Sequence, residues 1–182
     1  MGALKKEYLP YYTYNDYINW EGNWELIDGI AYAMAPSPML THQAISMLLG
    51  TTLTESLKKC KKCMVVSEMD YKISNDTILR PDIALICGQL RGAYIKKSPE
   101  LIVEVVSKSS AIRDEKIKLA LYQEEKVKYY ILLYPDDLKA KIYRLENNQY
   151  EKVIDLLEGS FDFKNLECPA TIDFDFVFER FR

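Results

Sequence analysis

Histidine is almost missing from this 182-residue chain, which has one, His42. A Ser-His-Asp or Cys-His catalytic arrangement would have to run through it, and no nucleophile elbow of the form GxSxG occurs. Glycine is scarce as well, at seven residues. With neither a Walker loop nor GxGxxG present, no loop is suited to cradling a nucleotide phosphate. No apolar stretch approaches the roughly 18 residues that a membrane helix needs. The opening MGALKKEYLPYY lacks the continuous apolar core of a secretory signal, so a cytoplasmic protein is expected. A basic excess is also lacking: 24 Lys and Arg face 27 Asp and Glu, for a net charge of −3. That balance argues against a strongly basic, charge-driven nucleic-acid binder, and any nucleic-acid function would have to come from a local site.

Four cysteines are present: Cys60, Cys63, Cys87 and Cys168. Cys60 and Cys63 form a CxxC, which is half of a zinc site or a redox pair. A structural zinc site usually draws on two clustered pairs, and the sequence has no second one. The expectation is therefore four free thiols in a reducing cytosol, with Cys87 a small core residue.

What remains is the composition of one folded domain: 48% apolar residues and 14 tyrosines exclude a disordered chain. Thr13 and Asp16 resemble a capping box opening a short helix to about Trp20. The stretch 24–34 reads as a hairpin turning at Asp28 and Gly29. Pro36 and Pro38 break the pattern. Thr41 is then expected to cap a helix from about His42 to Lys59, with Ile45, Leu48, Leu49, Leu53 and Leu57 at helical spacing. Met64 to Ile73 reads as a strand, followed by a turn at Asn75 and Asp76. Asp82 to Cys87 and Leu101 to Val106 read as strands apolar on both faces, and so central to a covered sheet. A helix from about Ala111 to Glu125 with Ser110 as cap, and a central strand from Tyr129 to Tyr134, follow. A surface hairpin over 139–145 and 149–156 and an edge strand over 170–178 complete an α/β domain over 1–182.

The informative residue is Glu104, in the middle of the otherwise aliphatic LIVEVV. A buried carboxylate costs several kcal/mol unless it is paired or bound to a cation. Side chains alternate along a strand, so Ile102, Glu104 and Val106 share a face. If strands 82–87 and 101–106 are antiparallel, Asp82 and Glu104 meet at one end of the sheet. Two such carboxylates suit Mg²⁺, which takes one or two carboxylates plus waters and substrate phosphates. The competing reading pairs Glu104 with a buried Arg or Lys and leaves Asp82 merely starting a strand. Lys118, on the next helix, either reaches this end or is solvated and paired with Asp114 or Glu115. Glu25 is a third carboxylate or the polar face of its strand, and His42, at a helix N-terminus, reads first as a surface or capping residue.

Taken in order, WELIDGIAYAMAPSPMLTHQ, RPDIALI, SPELIVEVVSKSS, RDEKIKLALY and VKYYILLYP resemble the PD-(D/E)XK nuclease superfamily. More narrowly, they resemble its Uma family of restriction-endonuclease-like proteins. The resemblance implies a mixed β-sheet flanked by helices, here with an additional C-terminal hairpin and edge strand. It implies Asp82 and Glu104 as the metal-binding carboxylates and Glu25 as an auxiliary acid. The usual superfamily lysine would stand at Val106. In this family it looks to have moved to the following helix, where Lys118 matches and Lys116 and Lys108 compete. Gln43 matches a family position without an assigned role.

The function so implied is metal-dependent hydrolysis of phosphodiester bonds, in DNA first of all, with Mg²⁺ or Mn²⁺ as cofactor and a homodimer as the acting unit. The alternative is a catalytically silent nuclease-fold protein that binds nucleic acid or regulates. A third possibility makes Glu104 and Lys118 a purely structural ion pair. Specificity would have to come from loops such as Gly88 to Ser98, or from dimerisation. Some of the acidic excess would then be metal ligands, and tight nucleic-acid binding would need the metal.

Overall fold

The computed structural model describes residues 8–34 and 39–182. The break at Pro36 and Pro38 lies outside the described residues. A six-stranded mixed sheet is the frame, in the order β10-β9-β8-β7-β6-β3. Its strands are β3 (Cys63–Ser67), β6 (Ile83–Cys87), β7 (Leu101–Val105), β8 (Tyr129–Tyr134), β9 (Lys139–Glu146) and β10 (Gln149–Leu156). Only β7 and β8 run parallel. A parallel pair needs a crossover, and the helix after β7 supplies it.

All five residues of β7 are buried, as an aliphatic strand covered on both faces requires. Leu101, Val103 and Val105 face one core, into which helix α2 (Leu40–Ser56) delivers Ile45, Leu49 and Leu53. Ile102 and Val106 face a second core with Tyr122, Tyr130 and Leu132. Glu104 belongs to that second face.

A smaller sheet, β2-β1-β5-β4, is separate in its hydrogen bonding and packs on the second core through Ile27, Tyr71 and Leu79. It comprises β1 (Trp24–Ile27), β2 (Ile30–Ala33), β4 (Tyr71–Lys72) and β5 (Ile78–Leu79). Asp28 and Gly29 take φ of 50° and 75°, the left-handed pair that a two-residue hairpin demands. Ahead of it, Asp16 accepts hydrogen bonds from the backbone N–H and hydroxyl of Thr13, capping the short α1 (Tyr14–Tyr17).

Several expectations are corrected. Helix α2 begins at Leu40 with Met39 at its cap position, so Thr41 lies inside the first turn, and it ends at Ser56 rather than Lys59. The strand expected over 64–73 is two strands, because Glu68 adopts φ of 49° and turns the chain from the large sheet to the small one. The helix expected from Ala111 to Glu125 is present over 111–124, but its middle, Arg113–Lys118, is π-helical before it continues as α3 (Leu119–Glu124). The 139–156 hairpin turns at Asn147 and Asn148, both left-handed, and continues the main sheet by pairing β9 with β8. The expected edge strand over 170–178 is half strand and half helix. β12 (Ala170–Asp173) pairs with β11 (Ser160–Phe163), then Asp173 accepts from the Phe176 N–H and starts α4 (Phe174–Phe178).

The cysteines are not free. Cys60 is disulfide-bonded to Cys168, and Cys63 to Cys87. The last two face each other across β3 and β6, so folding itself puts them in contact. Sequence spacing could not show that Cys168, 108 positions from Cys60, returns to the same corner. No helix of the described residues is long and apolar enough to cross a membrane.

Candidate active site

β6 and β7 are antiparallel, with Ile83 opposite Val103. One step further along that ladder puts Asp82 opposite Glu104, and the Val105 N–H donates to Asp82 Oδ2 at 2.6 Å. The strand register thus places both carboxylates at the same end of the sheet.

Glu104 is 2% exposed. Its Oε1 accepts from Lys118 Nζ at 3.0 Å and from the Tyr122 hydroxyl at 2.8 Å. Lys118, 3% exposed, also lies 2.7 Å from Glu25 Oε1 and 3.7 Å from Asp114 Oδ1. Asp114, Lys118 and Tyr122 stand four residues apart and project along one line of the crossover helix. A buried ammonium in contact with three carboxylates is neither solvated nor held by Asp114 alone. Lys116 and Lys108, the competing candidates, are exposed.

Glu25 is fully buried and comes from the small sheet. Its Oε1 accepts from the Arg80 backbone N–H at 3.0 Å, and its Oε2 lies 3.4 Å from Arg113 Nε. Docking of the small sheet therefore completes the cluster. His42 lies in the first turn of α2, with Nε2 3.5 Å from Asp82 Oδ2 and its Nδ1 buried without a hydrogen-bond partner. The neighbouring Gln43 donates to Glu68 at 3.1 Å.

These side chains line a cavity of about 140 Å³. Ser107, Ser109 and Ser110, in the turn after β7, form part of its rim. No residue of 88–98 lines it, because that loop leaves β6 at the end remote from Asp82. An adjoining groove of about 400 Å³ between α2 and β3 shares Gln43, Glu68 and Asp82 with the cavity.

The cavity's walls carry five carboxylates (Glu25, Glu68, Asp82, Glu104 and Asp114) against three fixed cations, Arg80, Arg113 and Lys118. Burial pushes the Glu104 carboxyl well above the usual range; Lys118 opposes the shift, and Asp114, Asp82 and Glu25 add to it. Asp114 is raised for the same first reason, burial. For Lys118 burial favours the neutral amine, but the three surrounding carboxylates outweigh it and hold the ammonium charged. His42 is likewise driven down by burial and up, on balance, by Asp82 and Glu68.

Asp82, Glu104, Glu25 and Lys118 were all candidates from sequence, and the fold brings Glu25, Glu104 and Lys118 into contact and Asp82 into the same cavity. Sequence reading missed Arg113, Tyr122 and Asp114 as site residues. The signal for Asp114 and Tyr122 was their four-residue spacing about Lys118, which became meaningful only once Lys118 proved buried. Arg113 left no comparable signal.

The sequence matches the family Uma2, described as "Putative restriction endonuclease", over residues 7–166. Among solved structures it is similar to a protein of Anabaena variabilis ATCC 29413 described as a putative nuclease belonging to DUF820. The TM-score is 0.66 at 16% identity, over 77% of this chain and 83% of that one. At that identity the likeness is one of fold, and it includes the mixed sheet flanked by helices. No curated protein matches.

Proposed function

The chain belongs to the Uma2 restriction-endonuclease family, and from that premise we propose that the cavity at the end of β6 and β7 is the active site of a metal-dependent endonuclease acting on DNA. The observation that carries this reading is Glu104: a buried carboxylate in the middle of an aliphatic strand, in contact with Lys118 and opposite Asp82. A merely structural ion pair would need one acid and one base. Here three buried acids, Glu25, Glu104 and Asp114, face one buried base, Lys118, and a bound cation relieves such an excess.

The donors fit a hard divalent ion. Asp82 and Glu104 offer carboxylate oxygens, and the contacts of Glu104 with Lys118 and Tyr122 fall on Oε1 alone. Bound there, Mg²⁺ or Mn²⁺ would lower the pKa of a water and neutralise charge developing on phosphate oxygens. Lys118 keeps its proton, so its part is to orient the attacking water and to place positive charge beside the phosphate. Glu25 touches Lys118 and the Arg80 backbone and is a positioning residue: it fixes the ammonium between two acids. Tyr122 fixes the Glu104 rotamer in the same way. Cutting two strands at once calls for two copies of this cavity, and we propose a homodimer as the acting form.

Supercoiled, linear and single-stranded DNA incubated with Mg²⁺ or Mn²⁺ should be cut, EDTA should stop the cutting, and Asp82→Ala and Lys118→Ala should abolish it. DNA binding without cleavage, indifferent to metal, would instead identify a silent nuclease-fold binder. Wild-type protein that neither binds a divalent ion nor loses any activity on Asp82→Ala would overturn the proposal.

A further inference from the structure

The chain's four cysteines come from four separate places: the turn after α2 (Cys60), the start of β3 (Cys63), the end of β6 (Cys87) and the turn before β12 (Cys168). All four nevertheless gather in one corner. The sulfurs of Cys60, Cys63 and Cys168 lie within 4.8 Å of one another, and the Cys87 sulfur is bonded to that of Cys63. Among the described residues this is the one group of three or more His, Cys, Asp or Glu ligand atoms so close together.

We propose that the reduced chain binds one Zn²⁺ here through all four cysteine sulfurs. Zinc takes four thiolates at about 2.3 Å in a tetrahedron, which sets the sulfurs about 3.8 Å apart; those of Cys60, Cys63 and Cys168 already lie within 4.8 Å of one another, and Cys87 stands opposite Cys63 on the neighbouring strand. Cys60 and Cys63 form the CxxC turn that commonly supplies two of the four, and the fold provides the missing second pair from Cys87 and Cys168. Soft thiolates select zinc, whereas the carboxylate cavity at the far end of β6 selects hard ions. Five residues of strand, about 16 Å, separate the two sites.

The surrounding charge fits the occupant. Zinc with four thiolates carries a net charge of −2. Lys58, Lys59, Lys61 and Lys62 flank Cys60 and Cys63, all exposed, and Lys97 Nζ lies 3.4 Å from the carbonyl of Gly88, next to Cys87. Positive charge near a thiol favours the thiolate. This gives the lysine cluster a role that the nuclease reading leaves unexplained.

The chemistry balances. From the disulfide form, two equivalents of a dithiol reductant deliver four electrons and four protons and leave as two disulfides. The four thiols formed release four protons as zinc binds. The bound ion then ties the C-terminal segment, through Cys168, to the remote end of the main sheet.

Full-length protein is produced with zinc present, kept in dithiol reductant without chelator, desalted, and assayed for metal by mass spectrometry. One zinc per chain is expected, released when an organomercurial blocks the thiols. Cobalt in its place should give thiolate-to-metal charge-transfer bands and the intense visible bands of a tetrahedral site. Cys60→Ser and Cys168→Ser should each lose the zinc, and Asp82→Asn should retain it. Because the serine variants can lose zinc by failing to fold, the cobalt spectrum of wild type decides independently. Reduced wild type holding no more than trace zinc, a cobalt spectrum without thiolate bands, or zinc that persists after thiol blocking would each overturn the proposal.

Discussion

Replacing Lys118 with methionine keeps the length and most of the volume of the side chain and removes its charge. Glu25, Glu104 and Asp114 then lose the ammonium within 2.7, 3.0 and 3.7 Å of them. Breaking a buried ion pair by deleting one partner costs about 3–5 kcal/mol, because an uncompensated charge stays behind. In a chain of this length about 2–4 °C of melting temperature accompanies each kcal/mol, so a loss of roughly 6–20 °C is expected at neutral pH. The loss should depend on pH. Glu104 has its folded pKa raised above the unfolded value of about 4.3. Between those two values the folded state binds the extra proton, so stability falls as pH rises and recovers as pH falls. Lys118 holds that folded value down in wild type, and in the variant the penalty extends to higher pH. The lysine's own contribution has the opposite position on the scale. Its folded pKa is raised, so the contribution is complete below about pH 10.4 and lost only as pH climbs through the folded value. Urea unfolding of wild type and Lys118→Met at pH 5 and pH 7.5 therefore separates the two effects. The difference should be large at pH 7.5 and shrink toward pH 5, the direction in which Glu104 and Asp114, both raised by burial, take up protons. A difference under about 1 kcal/mol at pH 7.5, or one unchanged at pH 5, would refute the buried-cluster argument.

Other expectations follow from the same geometry. The single histidine gives one imidazole Cε1–H signal, and its pKa in wild type should lie above 6.5; Asp82→Asn removes the main upward influence, so a titration by NMR should show it fall. Glu104→Gln keeps an acceptor for Lys118 and Tyr122 while removing the charge; unfolding stability should change by no more than about 1 kcal/mol while cleavage drops by about a hundredfold or more. Sedimentation of the protein with and without duplex DNA tests the dimer, and a monomer on cleaved duplex at every concentration would remove it.

The strands were the most legible part of the sequence, since aliphatic runs such as 83–87 and 101–105 can only be central to a covered sheet. Glu104 announced itself by violating that pattern. Lys118 was harder, because a lysine beside Asp114 and Glu115 reads equally as surface, and only the crossover from β7 to β8 turns its face inward. Glu25 was hidden differently. Its strand belongs to another sheet, and nothing local to WELI tells which carboxylate will be covered by a distant layer. The helix starting at Phe174 was lost because an alternating pattern over five residues does not reveal that Asp173 will cap it. The cysteine pairing is hidden because it is set by the fold: Cys60 and Cys168 meet across 108 positions, and Cys63 and Cys87 meet only through the register of β3 and β6.

The π-helical turn Arg113–Lys118 has a consequence for how such a site can change over generations. A lysine carried at the end of β7 could be relocated only by altering a strand that is hydrogen-bonded on both sides, and valine stands at 106, just past that end. A lysine carried on the crossover is held differently. A wide turn of this kind is what a one-residue insertion in an α-helix leaves behind. Adding or removing a residue there swings a different side chain toward Glu104 while the sheet stays as it was. Asp82 and Glu104 are thus fixed by the main sheet and Glu25 by the small one, whereas Asp114 and Lys118 ride on the crossover together, so the two can shift as a unit while the other acids stay in place.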